Sequence, residues 1–375
     1  MSKVVALIAL TLTVAVIVGT AQNKENKAEC RNKPKPVPAR LKGVTLEDVQ
    51  NQAHGDKEEQ EKYDRLVSKI AAALGSHSAG RADKFNYWPA ARIVFDLEND
   101  KEPCGTANPG NCLNADNYKE LAARLHGVKG TDEDRLALVM GEILDSEVLP
   151  KCDAGCYEQR TKHYLSRLGD VVDIWEIGNE VNGDWARPTH GKDNPKSGDH
   201  DTIDRESKDV GEKLGKAYKA VKDAGGRTAL TLYFNYDSVN RVGCAEHPED
   251  RMIDWAKNYV PAEVRNGVCY VLISFYENGD DCSNIDPRKV DWEKEFAALS
   301  AVFPNSYIGF GECCKGGDRE KKINLYYDEI HHRLARRFGE DYVGGYFYWD
   351  YKKHMVLDRN AASRRRFLDG VMQKW

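Results

Sequence analysis

From residue 41 onward, short apolar runs rich in β-branched and aromatic residues alternate with longer stretches whose apolar positions recur every three or four residues. The first pattern belongs to buried strands and the second to helices packed by one face. The strand-like runs are 41–49 (LKGVTLEDV), 90–97 (AARIVFDL), the later half of 136–145 (LALVMGEILD), 171–180 (VVDIWEIGNE), 228–234 (TALTLYF), 268–276 (VCYVLISFY), 307–312 (YIGFGE) and 342–349 (YVGGYFYW). Helical stretches fall at 58–74, 115–125, 157–168, 248–259 and 318–338, and a further one is marked by Trp292, Phe296 and Leu299. The clearest is capped by Thr202, carries Val210, Leu214, Ala217 and Val221 on one face, and is closed by Gly225 and Gly226. The run 136–145 also reads as a helix capped around Thr131; a strand is preferred because two helices would otherwise follow one another.

Strand and helix thus alternate eight times, and neither a GxGxxG turn nor a GxxxxGK[ST] loop occurs. The pattern predicts an α/β chain folded as a single (β/α)8 TIM barrel, not a doubly wound nucleotide-binding sheet. Ahead of it, residues 1–21 have the form of a signal peptide: Lys3, an apolar core over 4–18, and the small-residue end Gly19-Thr20-Ala21. Residues 22–40 (with NKPKPVPAR) read as a polar, proline-punctuated arm, and 41–375 as the catalytic-type domain. A secreted, extracellular protein is expected, with no membrane attachment once the leader is cleaved.

A net charge of −5 argues against nucleic acid as a partner. Ten cysteines in an exported chain imply disulfides, and the spacings Cys104 to Cys112 and Cys152 to Cys156 suggest locally stapled loops. Cys313 and Cys314 could bridge to each other or to two other loops. A zinc reading of Cys152 and Cys156 lacks a second CxxC or a histidine pair, and His190 and His200 have no acid at fixed spacing, so no metal and no organic cofactor is expected.

Two carboxylates stand where such a barrel keeps its chemistry. The strand at 171–180 stops at Asn179 and Glu180, and the strand at 307–312 stops at Glu312, so both glutamates should reach the same rim. Two facing carboxyls suit glycoside hydrolysis, one donating a proton and the other attacking the sugar. Glu176, four residues before Glu180 and of the same strand parity, is expected to be a buried, paired carboxylate inside the barrel. A chitinase-type DxxDxDxE pattern begins at Asp170 and Asp173 but fails at Trp175 and Ile177.

Asn179-Glu180 ending the fourth strand and Glu312 ending the seventh resemble the acid/base and nucleophile positions of clan A glycoside hydrolases, a group of retaining (β/α)8 enzymes. The resemblance implies Glu180 as general acid/base, Glu312 as nucleophile and Asn179 on the sugar's 2-hydroxyl. It also implies Tyr276 as the aromatic that positions the nucleophile, Trp349 as a sugar-stacking tryptophan, and Arg92 as the cation that keeps the nucleophile ionised. By position in its strand Arg92 could instead neutralise Glu176 or Asp96. Val181 replaces the clan's frequent proline, so no single family is assigned. Asn235, ending the fifth strand, and Trp185, in the long loop after Glu180, are further candidates for substrate contact, and Trp88, Tyr233 and Tyr236 could stack on sugars or serve as scaffold. The function expected is a monomeric, secreted, retaining glycosidase acting on a polysaccharide or oligosaccharide; the alternative is a carbohydrate-binding barrel without catalysis.

Overall fold

The computed structural model describes residues 30, 40–46, 61, 87–95, 115–127, 135–189, 199–237, 242–243, 245, 247–276, 286–313 and 325–349. Eight strands form one closed barrel: β1 (Arg40–Leu46), β2 (Tyr87–Val94), β3 (Leu138–Glu142), β4 (Ile174–Glu176), β5 (Arg227–Tyr233), β6 (Tyr270–Phe275), β7 (Tyr307–Cys313) and β8 (Tyr342–Tyr348). Each strand pairs in parallel with the next, and β8 closes onto β1 through Leu41 opposite Gly344. Between and after the strands run α1 (Asp116–His126), α2 (Ala154–Leu168), α3 (His200–Asp223), α4 (Met252–Tyr259), α5 (Ala262–Gly267), α6 (Trp292–Val302) and α7 (His331–Phe338). This is the (β/α)8 architecture that the alternation predicts.

The period of two along each strand divides the apolar residues into two cores. Met140 and Leu272 point inward and join Leu41, Leu138, Ile174 and Phe347 in a plug inside the barrel. Their chain neighbours Val139 and Ile273 point outward and pack with Ile93, Trp175, Leu232 and Phe310 beneath the helices. Glycines make room where strands crowd. A Cβ on Gly43 would lie 2.5 Å from the Phe347 ring, and one on Gly345, whose φ is +91°, would lie 1.9 Å from the Phe310 carbonyl oxygen.

Several boundaries differ from those the pattern predicts. The strand predicted over 171–180 is a regular strand only at Ile174–Glu176, because the chain turns to place the residues that follow. The helix α3 begins two residues before Thr202; Asp199 is its first flanking residue, and the Thr202 hydroxyl donates to Asp199 Oδ2 at 3.0 Å. The stretch 248–259 opens with a 3-10 turn, Pro248–Asp250, before α4. The helix at 58–74, apart from residue 61, and the last helix, with Arg364 to Arg366, lie outside the described residues, as does most of 1–40.

Among the described residues two cystines are present. Cys152–Cys156 staples the start of α2, as its spacing suggests, while Cys30–Cys269 spans 239 residues. The second pairing has no local signal. It ties the segment ahead of β1 to the residue just before β6, and the Cys30 carbonyl accepts from Arg227 Nε at 2.8 Å, so this tie sits at the strand-entry end of the barrel. Cys313 is a buried free thiol packed in the outer core; Cys104, Cys112 and Cys314 lie outside the described residues. No described helix is long and apolar enough to cross a membrane.

Closing so long a loop makes Cys30–Cys269 the larger contributor to stability. Replacing both cysteines by serine is expected to lower the unfolding free energy by about 2–5 kcal/mol, read from urea midpoints. Gly345→Ala, which forces a Cβ against a carbonyl at positive φ, is expected to cost at least about 2 kcal/mol in the same measurement.

Candidate functional site

The strand-exit end of the barrel gathers polar side chains from six strands, β2 to β7. Arg92 is the third residue from the end of β2, because that strand starts at Tyr87 and not at Ala90 as the pattern predicts. Its guanidinium is fully buried among carboxylates: Nε donates to Glu176 Oε2 at 2.6 Å, Nη1 donates to Glu312 Oε1, and Nη2 lies 2.8 Å from Glu142 Oε2. Arg92 therefore pairs with Glu312 and Glu176 together. Asp96 lies outside the described residues. Burial would lower the Arg92 pKa, but the fields of Glu142, Glu176 and Glu312 outweigh it and hold the pKa well above the usual value.

One cation under three carboxyls leaves the group short of positive charge. Burial is the first cause pushing Glu142 well above the ordinary carboxylate range; Arg92 opposes it, and Glu176, Asp145 and Glu312 add to it. Glu176 is raised by burial too, but Arg92 and the hydroxyl of Thr231, which donates to its Oε1, pull it back. Glu142 is close enough to Arg92 for an ion pair yet not aligned for a hydrogen bond, and neither of its oxygens has a hydrogen-bond partner. Of the three acids around Arg92 it is the one best suited to hold a proton. Glu176 is the buried, paired acid that strand parity predicts.

Glu312 is held at both oxygens, by Arg92 at Oε1 and by the Tyr276 hydroxyl at Oε2. Its backbone N–H donates to Ser274 Oγ at 3.1 Å. The nearby Ser274 hydroxyl also favours the ionised form of the Glu180 carboxyl. Burial, then repulsion by Glu312, nevertheless push Glu180 well above the ordinary carboxylate range. Burial and then the charges of Glu312 and Glu180 raise the Tyr276 hydroxyl in turn.

Glu180 reaches this place through a bend. Ladder-type bonds carry the chain past β4, with Ile177 N donating to Ala229 O at 2.8 Å and Thr231 N to Gly178 O at 2.9 Å. Glu180 then adopts φ +45°, a left-handed conformation rare outside glycine, and its carbonyl accepts from Gly183 N at 2.8 Å to close a turn. Val181, standing where the resemblance leads one to expect proline, is 1% exposed and anchors that turn in the outer core. Asn179 Oδ1 and Glu180 Oε1 are buried with no hydrogen-bond partner.

The remaining predicted residues take different positions. Trp349, half-buried, follows β8 with its N–H on Cys313 O at 3.1 Å. Trp185 packs edge-on to Tyr233 at 5.0 Å and donates its indole N–H to Ser146 Oγ at 3.0 Å, bridging the loops after β3 and β4. Asn235 commits its amide to the chain before α4: Nδ2 donates to Asp250 O at 2.8 Å, and Oδ1 accepts from Met252 N at 3.1 Å. Sequence reasoning passed over Glu142, Thr231 and Ser274. Glu142 carried a readable signal, a lone acid at the end of an apolar run, like Glu180 and Glu312; the two hydroxyls carried none.

No protein-family model matches the chain, and no curated protein matches it in sequence. Among solved structures it is similar to the AHE enzyme from Alicyclobacillus herbarius (TM-score 0.51, 14% identity, covering 86% of this chain and 90% of that one). It is likewise similar to the β-glucosidase from Thermotoga maritima in complex with glucoimidazole (TM-score 0.51, 12% identity, 84% and 89% covered). A third is the virulence factor SghA from Agrobacterium tumefaciens (TM-score 0.50, 11% identity, 88% and 90% covered). The likeness is one of fold across nearly the whole length of each chain, and its neighbours include β-glucosidases, in keeping with the barrel that the clan A resemblance implies.

Proposed function

We propose that the chain is a retaining glycoside hydrolase in which Glu180 is the general acid/base and Glu312 the nucleophile. The observation that supports this most is the contrast between the two carboxyls. Glu312 has a cation and a phenol on its oxygens, while Glu180 pairs with no cation among the described residues and is pushed toward its protonated form by burial and then by Glu312. Two acids held apart in this way match what double displacement needs. In the first step the Glu312 carboxylate bonds to the anomeric carbon while Glu180 gives its proton to the glycosidic oxygen, and the aglycone leaves. In the second, Glu180, now ionised, takes a proton from water, the hydroxide portion bonds to the anomeric carbon, and Glu312 departs as carboxylate.

Arg92 and Tyr276 hold Glu312 in one orientation, and the free oxygen of Asn179 would accept from a sugar hydroxyl. Trp349 and Trp185 supply aromatic surface at the rim. Because the neighbour from Thermotoga maritima is a β-glucosidase, aryl β-glucosides are the first substrates to try, followed by a panel of polysaccharides. Secretion belongs to the same proposal: two cystines suit an oxidising compartment.

Glu180→Gln and Glu312→Gln should each reduce kcat/KM on a natural glycan by at least about 10²; near-normal hydrolysis by both would reject the assignment. Since Glu180 must be protonated to act, and its pKa is raised, activity should persist above the ordinary carboxylate range and then fall as pH rises. In Glu180→Gln that basic limb should vanish, and an aryl glycoside with an acidic phenol should lose far less activity than one with a poor leaving group. Equal losses on both substrates would place the acid elsewhere. The first anomer released should keep the configuration of the substrate; glycan retention without any release would indicate a binding protein.

A further inference from the structure

Apart from the carboxylate cluster, the described residues bring together one group of metal-type donors: His200, His247 and Glu249, each offering an atom within 4.8 Å of those of the other two. No spacing motif joins them. His200 begins α3, which follows β4, while His247 and Glu249 flank Pro248 ahead of α4, which follows β5. Since β4 and β5 are barrel neighbours, their exit loops meet. His200 Nδ1 pairs with the Glu249 carboxylate, and the two imidazoles lie 5.7 Å apart, edge to face.

We propose that His200, His247 and Glu249 form a site for a divalent transition metal of the zinc class, which fastens the loop after β4 to the loop after β5 on the rim that carries Glu180. Two imidazoles and one carboxylate make a nitrogen-rich set suited to zinc and poorly suited to calcium or magnesium, which prefer oxygen alone. Tetrahedral zinc with bonds of about 2.0–2.2 Å holds its donors about 3.3–3.6 Å apart, so rotations of these side chains would close the set without moving the backbone.

The supporting turn is already fixed. Asp250, next to Glu249, pairs through both oxygens with Arg187, with Nη2 donating to Oδ2 at 3.2 Å. Its carbonyl accepts from Asn235 at 2.8 Å and from Asn182 at 3.4 Å, and Asn182 is two residues beyond Glu180. Two ligands therefore stand on a braced element, and the third, with 73% of its side chain exposed, is free to swing onto the ion and leaves a position open to water. Such a metal would pin the start of α3 to the turn ahead of α4 and takes no part in bond cleavage, so the inference does not rest on the hydrolase reading.

Calorimetric titration of chelator-treated, full-length protein with zinc chloride tests it. About one equivalent should bind with micromolar or tighter affinity, and His200→Ala, an exposed change that spares the fold, and Glu249→Gln should each weaken binding at least about tenfold. Glu312→Gln should bind zinc as the parent does, which separates this outcome from any failure of the hydrolase assignment. Cobalt substitution should give a spectrum without thiolate charge-transfer bands. Absence of saturable binding, affinity unchanged in either variant, or a thiolate signature would overturn the proposal.

Discussion

The site depends on a single buried guanidinium. Arg92 is enclosed by Glu142, Glu176 and Glu312, each from a different strand, and no other cation pairs with these three acids among the described residues. Taking an arginine out of water costs several kcal/mol unless its partners are well placed, and leaving a carboxylate there without it costs about 3–5 kcal/mol. The arrangement therefore joins stability and chemistry: the contact that lets Arg92 be buried also fixes Glu312 and sets the field in which Glu180 sits. Charge shortage is part of the design, because three acids on one cation favour a proton remaining within the group.

The two ends of the barrel are built for different tasks. At the strand-entry end, the Cys30–Cys269 cystine and the Arg227 contact close the structure by covalent and hydrogen-bonded ties, and apolar residues fill the interior. At the exit end the interior turns polar, the backbone of Glu180 is bent into a left-handed conformation, and buried oxygens of Asn179 and Glu180 lack partners. Strain and unmet hydrogen bonds at one rim are tolerable because the rest of the barrel is densely packed. Asn182, whose amide pairs with both backbone polar groups of Tyr233, couples the loop after Glu180 to the next strand.

Much of this was legible in the sequence, for physical reasons. A closed barrel must bury each strand on both sides, which gives apolar runs conspicuous against amphipathic helices, and acids that interrupt such runs near their ends, at Glu176, Glu180 and Glu312, stand out. Arg92 was visible too, but its partner was ambiguous because the strand boundary was off by three residues, and three residues is about 10 Å of reach. What could not be seen depends on long-range closure. Nothing local distinguishes Cys30 as the partner of Cys269, Ser274 as the acceptor of the Glu312 backbone N–H, or His200 as the neighbour of Glu249. Asn235 shows the opposite error, since an amide at a strand end looks available until the turn before α4 is found to occupy both of its ends.

The central claim is that Glu180 and Glu312 act on one sugar, with Glu312 forming the covalent bond. The most direct measurement is to trap that intermediate with a 2-deoxy-2-fluoro glycoside of whichever sugar is hydrolysed and to map the modified peptide by mass spectrometry. The account predicts a single glycosyl adduct on Glu312, formed at full occupancy and lost slowly on removal of the reagent. An adduct on Glu180, on Glu142 or on any other side chain would contradict it.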